Sequence, residues 1–468
     1  MAEKLNIPES DILDFSSNIN PLGTPFNFHE DKIDLERVFF ASIEKLGQYP
    51  DNRYLELRNA AAAFAGHGVS FENIVLGNGS CELLHLAIQS VVQEDDLIIV
   101  PSPSSGQYRH ISELCGARIH SFTSAEILNL PKMTLDRARV VIIQNPNDPT
   151  GELLSKDALL NLAKKCAEHG TLLIVDESSI ELANPDMSIV DMTLDNDHLL
   201  VIRSVSDIIS IPGIRLAYGI ASRSMAGILN AARLSWNIGA TEEAIGIAFF
   251  SMDGGPNSKY LSKARALIEK ERQYIIKRFS GIYGFDPVKS SANYLLVDVR
   301  DLFLDSVRLT EGLASHGIII RECSDFFNGE KRYVRISVKP RNDFEKLIRT
   351  LNDVFAELSR EDAREKLEET IEHGGAASAG RGSCEYYPCH FAGQDCTFCF
   401  CPFYACEEER TGGKWIESST GGQVWSCEYC TLLHRPKVAK MVLDALMADG
   451  DTDDNIRRAW KEIILPQL

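Results

Sequence analysis

The sequence lacks an apolar segment long enough to cross a membrane. Its 468 residues contain no run close to the roughly 18 uninterrupted apolar residues that a spanning helix needs. The first residues, MAEKLNIPES, also lack the apolar core of a secretory signal. We therefore expect a cytoplasmic protein with no membrane partner.

Basic residues are also in short supply. The chain has 48 lysines and arginines against 67 aspartates and glutamates, which gives a formal net charge of −19. Because binding to a phosphate backbone requires a basic surface, this balance argues against nucleic acid as a partner. It does not exclude a small anion, which a local pocket can still attract.

The twelve cysteines are unevenly distributed, and eight of them fall between Cys384 and Cys430. In a reducing cytoplasm such clustering indicates metal ligation before disulfides. C-x₂-C pairs bring two thiolates within reach of one ion, and eight cysteines suffice for two tetrahedral zinc sites. Thiolates hold iron–sulfur clusters equally well, so the spacing leaves both kinds of centre open. His390 and His434 are weaker candidate ligands. The candidate cysteine ligands are Cys384, Cys389, Cys396, Cys399, Cys401, Cys406, Cys427 and Cys430.

Short apolar runs alternate with helical patterns between about residues 75 and 225. The runs DLIIV, RVVIIQNP, TLLIVDES, HLLVIRS and IRLAYGIA are rich in β-formers and end in polar residues. Such runs are typical of parallel strands that are buried on both faces and carry chemistry at their carboxyl ends. The pattern predicts an α/β fold with a mostly parallel sheet.

Four regions follow the predicted large sheet. NYLLVDV, HGIIIREC and YVRISV, separated by helical stretches, predict a smaller α+β domain, and a charged helix then leads into HGGAASAGRGS, which has the composition of a flexible linker. We expect a first domain over 1–358, with a large part over about 45–275 and a small part over 1–44 and 276–358. After it we expect a helix and linker over 359–383, a metal-binding module over 384–434 and a helical tail over 435–468.

Seven motifs follow one another along about three quarters of the chain. In this order, they resemble the threonine-phosphate decarboxylases of cobamide (vitamin B12) biosynthesis, which are relatives of the histidinol-phosphate aminotransferases. Some of these decarboxylases also carry a cysteine-rich tail. The resemblance implies fold type I of pyridoxal-phosphate (PLP) enzymes and a homodimer. The motifs are DFSSNINPLGTP (14–25), YPDNRYLELRNAAA (49–62), GNGSCELL (77–84), NPNDPTG (145–151), VDESS (175–179), SVSDIISIPGIRLAYG (204–219) and IRECSDF (320–326).

The resemblance implies that the anchors of the cofactor phosphate are retained. Backbone N–H groups that open a predicted helix can bind an anion at the helix N-terminus. Asp176 matches the carboxylate that pairs with the ring nitrogen of PLP. The matching phosphate contacts are Gly79, Ser80, Cys81, Ser204, Ser206, Arg215 and Tyr49, the last of which reaches across the dimer interface in the family.

The covalent anchor of the cofactor is missing. Asp207 occupies the position of the Schiff-base lysine in the family's S-x-[ST]-K-x₇-R spacing, and a carboxylate is no amine nucleophile. Asp148 replaces the asparagine that donates to the phenolic oxygen, so an acceptor stands where a donor is expected. Ser105 and Ser179 replace aromatic residues near the ring. We expect PLP to bind non-covalently if at all.

Three residues match substrate contacts of the family. Arg335 in YVRISV matches the arginine that binds a substrate α-carboxylate in a bidentate pair, a geometry that lysine cannot copy. Arg321 in IRECS matches a substrate-phosphate contact, and Asn18 falls in the first motif. Although an arginine on a strand is often a surface ion-pair partner of small value, the intact motifs favour a small phosphorylated amino acid as the ligand.

The substitutions at 148 and 207 suggest a further hypothesis. Asp148 and Asp207 add carboxylates beside Asp176 and next to a phosphate site, a combination that suits a Mg²⁺–phosphate group. These three aspartates would then serve phosphoryl transfer to threonine or a related ester from a Mg²⁺-nucleotide, although the sequence has no GxxxxGK[ST] loop. The alternatives are a catalytically silent homologue that binds a phosphorylated ligand or a partner, and an active PLP decarboxylase that uses another lysine.

Overall fold

The structure is a computed structural model that describes residues 7–27, 34–302, 304–372 and 387–468. The chain forms two compact units, and the division between them falls between Phe344 and Glu345. No helix in these ranges combines the length and the apolar character that a membrane span requires. The predicted linker HGGAASAGRGS and the candidate ligand Cys384 lie outside the described residues.

The strands of the first unit belong to one large sheet and to smaller ones. Those of the large sheet are mostly buried, as their runs of valine, isoleucine and leucine predict. The strands are β1 (Leu13–Asp14), β2 (Ile74–Gly77), β3 (Leu97–Pro101), β4 (Arg118–Phe122), β5 (Ala138–Gln144), β6 (Leu172–Asp176), β7 (Leu199–Ser204), β8 (Ala217–Ala221), β9 (Asp286–Pro287), β10 (Tyr294–Asp298), β11 (Ile318–Ile319), β12 (Arg321–Glu322) and β13 (Tyr333–Ser337).

The large sheet has the strand order β2-β8-β7-β6-β5-β3-β4. The pairings from β7 through to β4 are all parallel, which confirms the mostly parallel sheet expected from the sequence. The prediction for IRLAYGIA was wrong in one respect, because this segment forms β8 and runs antiparallel to both of its neighbours. The described residues between β7 and β8 contain no helix, and a parallel neighbour needs a long crossover, usually a helix.

The helices of the first unit flank these strands. They are α1 (Leu35–Lys45), α2 (Leu55–Ala65), α3 (Ser80–Val91), α4 (Gly106–Leu114), α5 (Ser124–Leu128), α6 (Lys132–Leu135), α7 (Lys156–Glu168), α8 (Arg223–Ala232), α9 (Ala240–Phe250), α10 (Lys259–Phe279) and α11 (Ser306–Ser315). Polar caps fix several helix starts: the side chain of Ser155 accepts a hydrogen bond from the backbone of Ala158 where α7 begins.

Apolar residues on the two faces of the large sheet form two separate cores. In β5, Val141 and Ile143 pack into one cluster, while Val140 and Ile142 pack into the other. Successive side chains of a strand point to opposite faces, so this alternation follows directly from the sequence. Because both faces are buried, the carboxyl ends of the strands are where polar side chains can meet a ligand.

A smaller antiparallel sheet with the order β12-β13-β10-β9 forms from the segments predicted as an α+β domain. Its register sets Arg321 directly opposite Arg335. The short β1 pairs in parallel with β11, where Leu13 stands opposite Ile318. This pair is a separate two-stranded sheet, and the backbone N–H of Ser337 in β13 donates to the carbonyl oxygen of Phe15 at 2.9 Å, which links the first motif to the small sheet.

The charged segment predicted as a helix forms α12 (Arg341–Glu372), which crosses the division between the units. The rest of the second unit contains the hairpin of β14 (Lys414–Glu417) and β15 (Gln423–Ser426), and the helices α13 (Pro436–Leu446) and α14 (Thr452–Ala459). Its core includes Phe398, Phe403, Leu433 and Val442, with several cysteines packed against it.

Candidate functional site

The carboxyl ends of three neighbouring strands bring the predicted catalytic aspartates together. Asp176 is the last residue of β6, while Asp148 follows β5 and Asp207 follows β7. Burial raises the pKa of Asp176 and of Asp207, and the charge of Asp148 raises both further. Three residues that are distant in sequence thus share one electrostatic environment at one edge of the sheet.

Asp148 forms an ion pair with Arg335, the residue that the resemblance assigns to a substrate carboxylate. Nη1 of Arg335 donates to both carboxylate oxygens of Asp148 at 2.5 Å, and Nη2 donates to the carbonyl oxygen of Ser16 at 2.7 Å. The side chains of Arg335 and Asp148 are only 8% and 19% exposed. The arginine predicted to bind a ligand carboxylate therefore already holds a carboxylate of the chain.

Asp176 is buried and already accepts hydrogen bonds from the chain. The hydroxyl of Tyr108 donates to Oδ2 at 2.6 Å, and the backbone and hydroxyl of Ser178 donate to Oδ1. Burial, together with the charge of Asp176, raises the pKa of Tyr108 well above its usual range, so the hydroxyl keeps its proton. Sequence reasoning misses Tyr108, whose one signal is an aromatic residue in the first turn of the helix after β3.

The predicted phosphate contacts lie around the N-terminus of α3. Gly79 precedes the helix with a φ of 87°, and a Cβ at this residue would lie 2.4 Å from Nη2 of Arg215. Only glycine permits both the backbone conformation and this close approach. Ser80 and Cys81 begin the helix, and Arg215 forms no hydrogen bond or ion pair with the described residues. An open helix N-terminus beside an unpaired guanidinium is suited to bind an anion.

The two predicted hydroxyl contacts differ in their state. Ser204, at the end of β7, is 8% exposed, and within the described ranges its hydroxyl forms no hydrogen bond. The hydroxyl of Ser206 instead donates to the carbonyl oxygen of Ile214 at 2.5 Å, so that it can only accept from a ligand. Ser204 is therefore the better placed of the two to donate to a phosphate.

Asp207 lies within electrostatic reach of both arginines of the site. Burial raises its pKa, while the charges of Arg215 and Arg335 oppose this increase. Its backbone carbonyl accepts from the backbone of Asn20 at 3.0 Å, but its carboxylate accepts no hydrogen bond from the residues that the structure describes. The position that the family resemblance assigns to an amine thus carries a carboxylate without a hydrogen-bonding partner in the chain.

The other predicted substrate contacts are Asn18 and Arg321. Oδ1 of Asn18 is buried without a hydrogen-bond partner among the described residues. Arg321 stands opposite Arg335 in the register of β12 and β13, and it forms an ion pair with Asp325 at 2.5 Å. Because the exposed fraction of its side chain is 38%, Arg321 remains accessible to a ligand.

The predicted contact from a second subunit lies on the surface. Tyr49 is 81% exposed and packs against Trp236, with ring centroids 4.7 Å apart and the ring planes tilted by 33°. At the sites of the missing aromatic residues, Ser105 caps α4 through the backbone of Gln107, and Ser179 precedes a turn of 3₁₀-helix. Neither serine supplies the stacking surface that the resemblance assigns to those positions.

The residues present do not fit the covalently bound PLP that the resemblance implies. A carboxylate stands at 207, Oδ2 of Asp176 already accepts from Tyr108, and Asp148 pairs with Arg335. In contrast, the phosphate end fits, because Gly79 leaves room only for a close guanidinium and Arg215 has no partner among the described residues. The site therefore retains an anion anchor without the groups that would hold a PLP ring covalently.

Two groups of predicted metal ligands form in the second unit. In the first, burial and the charges of Cys406 and Cys430 raise the pKa of Cys427 to about 11, and the charges of all three add to burial in raising the pKa of Cys401. In the second group, the amide of Gln394 donates to Cys389 at 3.0 Å and to Cys396 at 3.4 Å, while the rings of His390 and His434 stack with centroids 4.2 Å apart.

These groups do not yet amount to a metal centre. Among the described residues, no three histidine, cysteine, aspartate or glutamate side chains are arranged to hold one metal ion. Cys399 is exposed, and Cys384 lies outside the described residues. Metal binding by the eight cysteines stays a prediction, which the clustering of sulfur atoms and the chemistry of thiolates support.

Two family models match the chain. A model described as aminotransferase class I and II matches residues 10–351, and a model described as a cysteine-rich small domain matches residues 377–456. The first match spans more than half of the sequence and contains every residue of the candidate site. The second covers the cysteine cluster.

Individual proteins show the same similarity. A protein of Caldanaerobacter subterraneus subsp. tengcongensis, provisionally named a threonine-phosphate decarboxylase, is 31% identical over 73% of this chain and 90% of its own. The adenosylcobalamin biosynthesis bifunctional protein CobDQ of Leptospira interrogans is 26% identical over 84% of this chain and 45% of its own. The crystal structure of a histidinol-phosphate aminotransferase from Clostridium acetobutylicum is 27% identical, with a TM-score of 0.63, and covers 73% of this chain and 99% of its own.

Proposed function

Since the chain belongs to the aminotransferase class I and II family and has the type I fold of PLP-dependent transferases, we propose that it is a threonine-phosphate-decarboxylase-like protein of cobamide biosynthesis that binds a phosphorylated small molecule without a Schiff base. One observation carries this proposal: Arg215, which has no partner among the described residues, lies beside the N-terminus of α3, while the position that the resemblance assigns to the Schiff-base lysine carries the carboxylate of Asp207. The names of two relatives, a threonine-phosphate decarboxylase and CobDQ, support the pathway.

The geometry gives phosphoryl transfer with Mg²⁺ less support than ligand binding. Of the three aspartates, Asp148 is paired with Arg335 and Asp176 accepts from Tyr108, which leaves Asp207 with a carboxylate free of hydrogen bonds from the described residues. A magnesium ion bound through protein groups needs oxygens that face it together. We therefore keep phosphoryl transfer to threonine as a hypothesis and take binding of a phosphorylated ligand as the primary proposal.

A homodimer is part of the proposal. Tyr49 and Trp236 form an exposed aromatic pair, and α1 adds the exposed side chains of Phe39 and Phe40. Large exposed apolar side chains that cluster are typical of subunit interfaces. Size-exclusion chromatography with light scattering should give twice the chain mass, and Tyr49→Ala combined with Trp236→Ala should shift the protein towards the monomer.

Two measurements on the full-length protein test the proposed function. Incubation with PLP, then borohydride and intact-mass analysis, should leave the chain without a pyridoxyl group. Isothermal titration should detect a phosphate monoester, and Arg215→Ala should weaken its binding at least tenfold. The matched control is Arg223→Ala, because Arg223 is an exposed arginine of the same unit that pairs with Glu72. A reduced pyridoxyl adduct, or equal binding by Arg215→Ala and wild type, would contradict the proposal.

A further inference from the structure

We infer that the candidate site selects a phosphate monoester that carries an ammonium group and no carboxylate, with its phosphate at Arg215 and its ammonium at Asp207. The inference rests on the proposed function and names the chemical class of the ligand. Three features of the site support it: an unpaired cation, an arginine that is already satisfied by the chain, and a carboxylate without a hydrogen-bond donor.

The unpaired cation defines the phosphate end. Arg215 is exposed and approaches Gly79 so closely that a Cβ there would lie 2.4 Å from its Nη2. A second, independent observation is Ser204, which is 8% exposed and whose hydroxyl has no partner in the described ranges. The hydroxyl of Ser204 is therefore free to donate to a ligand. A phosphate oxygen would accept this hydrogen bond, and the phosphate would pair with Arg215.

The satisfied arginine excludes a ligand carboxylate. Arg335 donates to both oxygens of Asp148 and to the carbonyl oxygen of Ser16, which leaves only its buried Nε without a partner among the described residues. Asp148 occupies Nη1, Ser16 accepts from Nη2 and Nε is buried, so a ligand carboxylate that formed a bidentate pair would have to displace one of these partners. Otherwise two carboxylates would share one cation in a partly buried site, where like charges repel strongly. An amino-acid phosphate should therefore bind more weakly than its decarboxylated counterpart.

The unpartnered carboxylate defines the ammonium end. Asp207 is mostly buried, and no described residue donates a hydrogen bond to its carboxylate. The charge of Asp148 raises the pKa of Asp207, the charges of Arg215 and Arg335 oppose this increase, and Arg335 is also paired with Asp148. A ligand ammonium would supply three donors and one positive charge to this side of the site. An aspartate at the position where the resemblance implies a lysine therefore favours a positively charged ligand group there.

Two sources of ligand share this chemistry: the phosphate ester of an amino alcohol, and the amine form of the vitamin, pyridoxamine 5′-phosphate. Both carry a phosphate and an ammonium, and neither carries a carboxylate. Comparison of O-phosphoethanolamine with pyridoxamine 5′-phosphate tells the two sources apart, because only the second needs space for an aromatic ring. Tighter binding of either compound is consistent with the inferred class.

The experiment is isothermal titration of the full-length protein with three probes that differ by one group. O-Phosphoethanolamine has the phosphate and the ammonium, O-phospho-L-serine adds a carboxylate, and ethyl phosphate lacks the ammonium. We expect O-phosphoethanolamine to bind at least tenfold more tightly than either of the others. Asp207→Asn should abolish the preference over ethyl phosphate, and Asp148→Asn, which frees Arg335, should strengthen O-phospho-L-serine binding at least tenfold.

The outcomes separate the inference from the proposed function. If O-phospho-L-serine binds wild type as tightly as O-phosphoethanolamine, or if Asp207→Asn keeps the preference for the amine, the inference is overturned while phosphate binding stands. If neither these three probes nor pyridoxamine 5′-phosphate binds, both fail. Asp191→Asn is the matched control, since Asp191 is a partly exposed aspartate paired with Lys156, and thermal unfolding checks that each variant is folded.

Discussion

Arg335 Nη1 lies 2.5 Å from both carboxylate oxygens of Asp148, although the two residues are 187 positions apart in the sequence. Asp148 follows a strand of the large sheet, whereas Arg335 lies in the middle of β13 in the small sheet. The ion pair therefore joins the two sheets at the site. Because the chain supplies both partners, the charge of Arg335 is balanced before any ligand binds.

This ion pair should contribute measurably to stability. Asp148→Ala should lower the free energy of unfolding by about 3 kcal/mol, since it leaves a buried guanidinium without a counter-charge. In a double-mutant cycle with Arg335→Ala, urea unfolding should give a coupling of about 2 kcal/mol. The exposed pair Arg109–Glu113, with side chains 53% and 56% exposed, should give less than about 0.5 kcal/mol. Equal coupling for the two pairs would contradict the assignment.

The stability of the protein should depend on pH through Asp207. Burial raises the pKa of Asp207 in the folded protein above its unfolded value, so its ionisation favours the unfolded chain. The penalty is absent below about pH 4, where the carboxyl is protonated in both states, and is complete once the pH exceeds the raised pKa. Asp207→Asn should therefore stabilise the protein at pH 8 by about 1 kcal/mol, and the gain should vanish on acidification.

Thermal unfolding of wild type and Asp207→Asn across pH 4 to 8 measures this effect. The matched variant Asp191→Asn removes a more exposed carboxylate of the same unit and should show a difference from wild type that varies little with pH. A gain for Asp207→Asn that grows on acidification would show that the sign of the argument is wrong.

The sequence predicts the edge of the sheet at which the site forms, but not the contacts within it. Asp176 and Asp207 follow apolar strand runs, and the carboxyl ends of parallel strands meet at one edge, so their proximity follows from the pattern. The hydrogen bond from Tyr108 to Asp176 depends on how α4 packs beside β6, and the Asp148–Arg335 pair depends on how two sheets dock. Neither relation leaves a periodic signal in the sequence.

The direction of β8 shows the same limit. Its apolar run is equally compatible with a parallel or an antiparallel neighbour, because burial on both faces removes the alternation that tells them apart. The decisive information lies in the connection from β7, which in the described residues contains turns and no helix. Motif resemblance assigns roles to Arg215 and Arg335 by position, yet only the structure reveals that Arg215 has no partner among the described residues and that Arg335 is paired with Asp148.

A buried charge cluster on the first unit should be essential for folding. Arg203 is 3% exposed and forms ion pairs with Glu177 at 3.1 Å and Glu181 at 3.2 Å. Arg203→Ala would leave two buried carboxylates without their cation and should cost about 3–5 kcal/mol in urea unfolding. Arg223→Ala, which breaks an exposed pair with Glu72, should cost less than about 1 kcal/mol. Similar losses for both variants would argue against a structural role for the cluster.

Metal removal should unfold the second unit selectively. Besides α12, its described residues contain one short hairpin, two short α-helices and single turns of 3₁₀- or π-helix, and Cys401, Cys406 and Cys430 pack against its apolar core. A module with so little regular structure needs cross-links, and metal–thiolate bonds provide them in a reducing compartment. Protein purified without oxygen should contain bound metal, and a chelator should remove a thermal transition while leaving that of the first unit in place.

Elemental analysis and visible absorption distinguish zinc from an iron–sulfur centre in the same sample, since zinc thiolates are colourless and iron–sulfur clusters absorb visible light. Cys406→Ser should lower the metal content, because this residue belongs to the group that also contains Cys401 and Cys427. Cys115→Ser is the matched control, as Cys115 lies in the first unit and should leave the metal content unchanged. Full metal content in Cys406→Ser would exclude Cys406 as a ligand. A metal-free protein whose second unit keeps its thermal transition would exclude the metal as a structural element.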